Sequence, residues 1–441
     1  MVESTIAAIS TALGEGGIAV IRVSGSDAVG ISTKILKRKN FEIPGKLYLT
    51  SLIDENENIL DKVLAVSFVA PNSYTGENIV EIHTHGGILI ARLCLELLLK
   101  NGAELAQPGE FTRRAFINGH IDLSQAEGVL GIIKSQSLEA VKASARTLTG
   151  ELSRKIHEIH DQILNLQSNI EIDLDFPEHE SFVLENDFEN EIEILISKLE
   201  ILISQCSAGI LLNQGVKITI AGSPNVGKSS LLNSILGRKR AIVTDIPGTT
   251  RDIINENIII KGLPVKISDT AGLRKTEDLI EAEGVELAKT AINESDLCLY
   301  VLDGSREINE DELNFIKSLE NQNSIIVINK SDLEQKLKLD NNIQKISVSA
   351  KNNSGIEDLK NLIYNMAVKN SNLSSGLNVS AKQLEDLREC LNSILEAHNS
   401  FDDDIRADML NSARIILLRI LGIDAGDELL DNMFSRFCVG K

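Results

Sequence analysis

Val216-Lys-Ile-Thr-Ile-Ala-Gly-Ser-Pro-Asn-Val-Gly-Lys-Ser-Ser230 has three parts with different chemistry. Val216 to Ala221 is an apolar run rich in β-branched residues, which reads as a buried strand. Gly222-x-x-x-x-Gly227-Lys228-Ser229 follows, and Ser230-Leu-Leu-Asn-Ser-Ile-Leu236 then carries helical periodicity. Strand, glycine loop and helix in that order make a phosphate-binding loop. Gly222 and Gly227 let backbone N–H groups close around phosphate oxygens, and the helix N-terminus adds its positive dipole end. Lys228 is placed for the β- and γ-phosphates and Ser229 for Mg²⁺. A bare glycine turn satisfies the same letters, so the stretches downstream carry the distinction.

Three of them follow in the order a guanine-nucleotide domain requires. Val265-Lys-Ile-Ser-Asp-Thr-Ala-Gly272 is a strand ending at Asp269, placed to hold the Mg²⁺ shell; Thr270 and Ala271 lead to Gly272, whose N–H serves the γ-phosphate. Ile325-Ile-Val-Ile-Asn-Lys-Ser-Asp332 is a second buried strand running into Asn329, Lys330 and Asp332. The Asp332 carboxylate accepts both guanine N1–H and the 2-amino group, donors that adenine lacks at those positions. A buried carboxylate left unpaired by the wrong base gives selectivity of several orders of magnitude. Ser349-Ala350-Lys351, after Ile346-Ser-Val, completes the base pocket. The expected fold over residues 215–370 is a Ras-like P-loop GTPase (G) domain with a doubly wound sheet, in which Asn225, Val226, Gly227, Lys228, Ser229 and Ser230 surround the phosphates.

The whole chain has 441 residues, enough for two or three domains with separate cores, and a formal charge of −20. That charge argues against a broad basic face that grips nucleic-acid phosphates. Trp is absent and only 4 Tyr and 11 Phe occur, which argues against a stacking platform for single strands. Bound RNA then needs a local patch or a basic partner. The cysteines, at 94, 206, 298, 390 and 438, show no Cys-x-x-Cys spacing and read as reduced thiols, with Cys94 and Cys298 in Leu-rich core runs. Met1-Val-Glu-Ser-Thr-Ile-Ala-Ala-Ile9 has no basic start and no later run reads as a membrane span, so a cytoplasmic chain is expected.

Ahead of the G domain, short β-rich runs (Ile18 to Val23, Val63 to Val69, Ile79 to Ile82) and one helix (Ile88 to Lys100) predict a small α+β domain over 1–120. His83 and His85 share a strand face but lack an evident third ligand, which favours structural histidines over a metal pair. From Asp122 the period lengthens to 3.6, predicting helices over Ser124 to Thr149, Glu151 to Asp173 and Phe188 to Gln205, with a break at Asp175-Phe-Pro177. Their apolar stripes exceed what this block can bury alone. Helices expected at Ala381 to Ala397 and Asp404 to Leu421 supply the missing faces, with Lys369 to Gly376 as the returning linker. The G domain is therefore expected as an insertion in a discontinuous helical domain, residues 121–214 and 371–441. Asp402-Asp-Asp404 reads as a solvated, helix-capping run, and His157 and His160 as surface residues.

Several flanking stretches are more particular than the phosphate loop: Gly16-Gly-Ile-Ala-Val-Ile-Arg-Val-Ser-Gly25, Ser73-Tyr-Thr-Gly-Glu77, His85-Gly-Gly87, Pro108-Gly-Glu-Phe-Thr-Arg-Arg-Ala-Phe116, Asp122-Leu-Ser-Gln-Ala-Glu127 and Phe437-Cys-Val-Gly-Lys441. With them the chain resembles, essentially end to end, the MnmE (TrmE) family of tRNA-modification GTPases. The resemblance implies a homodimer whose N-terminal domain serves dimerisation and binds a 5,10-methylene- or 5-formyl-tetrahydrofolate derivative. It also implies a heterotetramer with the FAD-dependent flavoprotein MnmG (GidA), which adds an aminomethyl or carboxymethylaminomethyl group at carbon 5 of the wobble uridine of certain tRNAs. The family's folate contacts fall on Arg22, Glu81, His120 and Lys441. His120 stands where a relative has Lys and removes a fixed positive charge. Lys441 and Arg22 would meet the anionic folate while Glu81 accepts from its pterin ring. A nucleophilic Cys438 is the alternative role for the tail, with no base for the thiol identified in the sequence.

For hydrolysis, the resemblance places Mg²⁺ on Ser229 and Thr250. In Ras-like switches a Gln follows Asp-x-x-Gly and orients the attacking water, whereas this chain has Leu273. The family assigns that role to Glu281, twelve positions after Asp269, with Glu283 close by, so Glu281 and Lys228 are the catalytic candidates. A K⁺ ion would replace the arginine finger, held by Asn225, Thr244, Ile246 and Thr249. The loop Thr244-Asp245-Ile246-Pro247-Gly248-Thr249-Thr250 would wrap it, with Pro247 where a relative has Ala. Two alternatives remain in view. A ribosome-assembly GTPase carries a second GTPase domain or an RNA-binding module, neither of which the sequence contains. A regulatory switch without modification chemistry would differ in folate binding by the N-terminal 120 residues.

Overall fold

The computed structural model describes residues 4–175, 185–237, 255–269, 295–319, 323–339, 343–368, 372–423 and 426–441. Its first sheet is built from β1 (Ile6–Ile9), β2 (Gly16–Ser24), β3 (Tyr48–Ile53), β4 (Ile59–Phe68), β5 (Ile79–Gly86) and β6 (Glu104–Leu105), in the order β3-β4-β5-β2-β1-β6. All pairings are antiparallel except β1 with β6. Strand alternation sends Ala19, Ile21 and Val23 of β2 and Val80 and Ile82 of β5 into a core under α1 (Ala28–Lys34) and α2 (Ile88–Lys100). The opposite face therefore carries Arg22 and Glu81, which stand opposite each other in the β2–β5 register. β5 carries His83 and His85 as expected, beyond its apolar start at Ile79 to Ile82. The short strands β1 and β6 gave no sequence signal, because they exist through pairing to each other and to β2.

A short helix, α3 (Glu110–Ile117), leads into α4 (Leu123–Lys134), α5 (Leu138–Leu148), α6 (Glu151–Asp175) and α7 (Glu185–Gln214). The single helix expected over Ser124 to Thr149 is thus two. Ser135 and Ser137 are extended, and the Ser137 hydroxyl caps the new helix by accepting from Ala140 N at 3.2 Å. The fold-back brings α5 onto α4 so closely that a Cβ at Gly128 would lie 2.6 Å from Leu148 N.

The second sheet comprises β7 (Val216–Ala221), β8 (Asn255–Ile260), β9 (Leu263–Asp269), β10 (Leu297–Asp303), β11 (Ser324–Asn329) and β12 (Gln344–Ser347), ordered β12-β11-β10-β7-β9-β8. Every pairing is parallel except β8 with β9. Helices α8 (Lys228–Leu236), α9 (Glu310–Ser318) and α10 (Ile356–Val368) connect and flank the strands. Because β7 lies between β9 and β10, the chain leaves β7 at the point where strand order reverses, the usual ligand crevice of an open α/β sheet.

After the second sheet come α11 (Ala381–Asn399), α12 (Asp403–Leu421) and α13 (Asp427–Phe434). α11 and α12 bury Leu387, Ile394, Leu410 and Leu417 against Ile156, Ile163, Leu195 and Leu199 of α6 and α7, so one helical core draws on both sides of the second sheet. Asp402 caps α12 by accepting from Asp404 N. By length and composition Phe188–Gln214 is apolar enough to cross a membrane. Here Phe188, Ile192, Leu195, Leu199 and Leu202 line the helical core, and Ala208 and Leu212 continue into the core of the second sheet. His160 is half-buried rather than on the surface, with its Nδ1 3.0 Å from Asp161.

The part of the expected linker that is described, 372–376, is not loose. Leu373 and Leu377 are buried, and Arg146 donates to Gly376 O at 2.8 Å. Asn378 accepts from Asn213 and donates to Glu127 O, while Thr147 donates to its carbonyl. Both chain passages between the helical core and the second sheet are clamped to α4 and α5 at this junction. Its polar composition hid the burial, because the Asn and Ser side chains satisfy backbone groups rather than solvent.

Candidate functional site

Two cavities carry the expected site residues. The first, of about 640 Å³, lies at the end of the second sheet and is lined by Gly227, Ser230 and Asn233 with Asn329, Lys330, Asp332, Ala350 and Lys351, among others. Gly227 has φ of 96°, and a Cβ there would lie 2.3 Å from Asn329 Nδ2; Gly222 has φ of 145°, and a Cβ there would lie 2.4 Å from Val301 O. Both glycines are therefore required by close approach. Asn225, in the loop between them, is left-handed at φ 62°, a conformation Asn tolerates better than most residues. Lys228 Nζ donates to Gly222 O at 2.8 Å and Ser223 O at 2.9 Å, which folds the lysine across the loop. β9 brings Asp269 opposite Ile220, beside the start of the loop.

The base end is tied together by side chains. Asn329 is 3% exposed; its Nδ2 donates to Val226 O at 2.9 Å and its Oδ1 accepts from Ala350 N at 3.0 Å. It thus clips the phosphate loop to the Ser349-Ala350-Lys351 loop. Asp332 is exposed at the cavity rather than buried as expected, since the site is open on that side. One of its oxygens accepts from Ser349 Oγ at 2.6 Å, and this hydrogen bond holds its carboxyl below the usual range. Lys330 is left-handed at φ 63° and pairs with Asp303 Oδ2 at 2.5 Å. The glycine cradle and the exposed carboxylate of Asp332 fit a guanine nucleotide, with Ser229 at the first turn of α8 where Mg²⁺ is expected.

The second cavity, of about 520 Å³, is lined by Phe68, Pro71, Asn72, Ser73, Tyr74, Ile79, Glu81 and His120. Glu81 accepts from Arg22 Nε at 2.9 Å, and the Arg22 guanidinium lies between the rings of Tyr74 and Phe111, 5.4 and 5.6 Å from their centroids. His120 packs on Gly76, whose missing Cβ would meet the imidazole at 2.8 Å. Burial raises the Tyr74 phenol, which shares a hydrogen bond with Thr112. The aromatic and aliphatic walls with one carboxylate suit a flat ring carrying N–H donors, as a pterin does, and the volume lies in the usual ligand range.

Glu81 and His120 come together here with Arg22 behind Glu81, and neither Arg22 nor Lys441 is among the lining residues. The tail instead docks on the first sheet: Val439 pairs with Pro108, and a Cβ at Gly440 would lie 2.4 Å from Ile9 O. Ile9 neighbours Ala8, the cross-strand partner of Arg22, so the tail ends one strand from that arginine. Phe437 is buried with Phe434, Met433 and Leu130, which ties the chain end down. Arg114, 1% exposed, holds the walls: it donates to Ser4 O, Glu77 and Glu110. Ser24 adds hydrogen bonds to Thr75 and Glu77. Removing one partner of such a buried pair costs about 3–5 kcal/mol. Nothing in local periodicity marks Arg114 or Tyr74, although both lie inside the quoted flanking stretches.

Family comparison matches residues 5–120 to the GTP-binding protein TrmE N-terminus and residues 123–438 to the MnmE helical domain. The chain belongs to the MnmE (TrmE) family. Curated relatives named tRNA modification GTPase MnmE include those of Carboxydothermus hydrogenoformans, 43% identical over 462 residues, and Clostridioides difficile, 40% identical over 458, each comparison spanning 100% of both chains. Among solved structures, the G domain of the T. maritima FeoB iron transporter aligns with 34% of this chain and 98% of its own at 28% identity and a TM-score of 0.27.

Thr244, Asp245, Ile246, Pro247, Gly248, Thr249, Thr250, Thr270, Ala271, Gly272 and Glu281 lie outside the described residues. So does the side chain of Asp269. His85 Nδ1 bonds Asp61 at 2.6 Å and His83 lies 3.5 Å from Glu81; among the described residues no three His, Cys, Asp or Glu side chains group as metal ligands. Cys94, Cys206, Cys298 and Cys390 are buried free thiols pushed up to about 12 by desolvation, whereas Cys438 is exposed.

Proposed function

We propose that this GTPase of tRNA modification works with a flavoprotein of the MnmG (GidA) type to install an aminomethyl or carboxymethylaminomethyl group at carbon 5 of the wobble uridine, using a one-carbon unit from a tetrahydrofolate derivative. As a member of the family it is a GTPase acting in tRNA modification, with GTP as substrate and Mg²⁺ as the ion. The observation that carries the finer reading is the second cavity, whose Arg22–Glu81 pair and His120 occupy the positions that the family resemblance assigns to folate. A bound folate would supply the transferable carbon. Glu81 would orient its pterin edge and Arg22 would hold Glu81 in place.

In the nucleotide cavity, Gly227 and Lys228 would receive the phosphates, Ser229, with Thr250, would hold Mg²⁺, and Asp332 would read guanine. Asn225 with the 244–249 loop would hold K⁺, and Glu281 would orient water. The division into 1–120, 121–214, 215–370 and 371–441 is supported by two separate sheets and by a helical core drawn from both sides of the second. Homodimer formation through the N-terminal domains and a cytoplasmic setting complete the reading, the latter supported by five unpaired cysteines.

Mass spectrometry of tRNA nucleosides from cells with and without the chain tests the modification directly. Unmodified carbon 5 at the wobble uridine is expected without it, and an unchanged nucleoside profile overturns the reading. For K⁺, single-turnover hydrolysis is expected to run at least about tenfold faster in KCl than in NaCl. Equal rates would remove the ion from the mechanism.

A further inference from the structure

We propose that Glu312 is a positioning residue for GTP binding and hydrolysis, tethering the first limb of the phosphate loop through the Ser223 hydroxyl. The carboxylate sits on α9, where it closes a capping box with Asn309: Asn309 Oδ1 accepts from Glu312 N at 2.8 Å, and Glu312 Oε2 accepts from Asn309 N at 3.3 Å. A cap needs only that one oxygen and leaves the glutamate half in water. Here the side chain is 2% exposed, and its other oxygen is committed elsewhere. Oε1 accepts from Ser223 Oγ at 2.7 Å and from Arg306 at 2.5 Å, while Arg306 also reaches Oε2 at 3.0 Å.

Ser223 is the residue after Gly222, on the first limb of the loop. Its hydroxyl faces Glu312 and its carbonyl accepts from Lys228 Nζ, so the peptide planes around it are gripped from two sides. Those planes aim the loop N–H groups, and small misorientations of such donors cost large factors in phosphate recognition. The far limb is held separately by Asn329 on Val226 O. Tyr300 of β10 stacks on Phe315 of α9 at 4.8 Å, which fixes the helix that carries Glu312 to the sheet.

A second charged pair lies toward the base. Arg306 belongs to the turn after β10, where Asp303 accepts from Ser305 N and Oγ and pairs with Lys330. Lys330 precedes Asp332 by two residues. Two charged pairs, Lys330–Asp303 and Arg306–Glu312, therefore flank the turn from Asp303 to Arg306, the first at the guanine end and the second bonded to Ser223 at the phosphate end. Desolvation works against the Glu312 charge, but the hydrogen bonds from Arg306 and Ser223 outweigh it and hold its carboxyl below the usual range. The inference rests on the GTPase assignment and adds to it how the phosphate loop is held in place.

The test uses the full-length protein and reads Kd and dissociation rate for fluorescent GDP and GTP, single-turnover hydrolysis, and thermal denaturation. Ser223→Ala is expected to weaken both nucleotides about tenfold through faster release, with the melting transition unmoved. Glu312→Leu, which has no acceptor, is expected to weaken both nucleotides to the same degree, with a lowered melting transition because Arg306 loses its buried partner, and the double variant to be no worse than the worse single by more than about twofold, since both remove one tether. Should Glu312→Leu fail to fold, Ser223→Thr decides: it keeps the hydroxyl and is expected to bind within about twofold of the parent, and a loss as large as that of Ser223→Ala overturns the tether. Ser223→Ala within twofold of the parent, or losses that multiply in the double variant, would overturn the tether. Absence of GTP hydrolysis by the parent protein would strike the GTPase assignment instead.

Discussion

The nucleotide cavity and the second cavity are walled in opposite ways. At the nucleotide cavity the described walls are loops leaving parallel strands, 222–227 after β7, 329–332 after β11 and 349–353 after β12, together with one side of α8. The second cavity takes Glu81 from β5, Phe68 from β4, Tyr74 from a turn and His120 from the turn before α4, with Arg22 of β2 behind Glu81. Backbone N–H groups wrapped around phosphates demand glycines at fixed spacing, so the first site marks its own sequence. A pocket made of side chains demands only that suitable residues arrive together, and arrival depends on the sheet. The first site is accordingly sensitive to single atoms within a motif, the second to whatever holds its scattered walls in register.

The comparison is sharpened most by Asp332→Asn. Replacing an acceptor-only carboxylate with an amide sets an NH₂ against the guanine 2-amino group. Guanine-nucleotide affinity should fall by about two orders of magnitude or more while xanthosine nucleotides gain, as nucleotide competition would measure. An unchanged ratio of GTP to ATP binding would remove Asp332 from the base site.

Shortening the tail tests the other cavity. Because Phe437 is buried, the informative deletion is 438–441, which spares the core cluster. It should abolish wobble-uridine modification and weaken folate binding while leaving hydrolysis in K⁺ within about twofold, with Cys438→Ser reducing modification only in part. Full modification by the shortened chain would end the tail's role. Complete loss in Cys438→Ser with folate affinity intact would instead make the thiol the nucleophile.

Glu81→Gln is a smaller change to the same cavity. It leaves the walls in place but strips Arg22 of its charged partner, and folate affinity should drop about tenfold by calorimetry with GTP hydrolysis unaltered. Loss of both activities would mean that the two cavities are not independent. The smallest expected effect is on pH. Asp332 stays ionised above its lowered pKa, so guanine binding should be flat from neutrality down to about pH 5 and be lost only as pH falls through that depressed value. A loss of GDP affinity already near pH 6 would point to a different titrating group.

By itself, the sequence determined the strand, glycine loop and helix at Val216 to Leu236, the base motif at Asn329 to Asp332, and a helical core that needed α11 and α12 to complete α6 and α7. These features are legible because they rest on local spacing: glycine where a Cβ cannot fit, apolar residues every third or fourth position. Family resemblance added Arg22, Glu81 and His120, which no local period distinguishes from other polar strand or turn residues. Only the tertiary structure decided that Ser135 to Ser137 breaks a helix, that the 372–379 passage is clamped, and that Asp332 stands exposed. It alone placed Glu312 under Ser223 and the chain end on Ile9. Each of those outcomes depends on groups distant in sequence meeting at van der Waals or hydrogen-bond range, and such meetings follow from how the sheets and helices pack rather than from any stretch of residues.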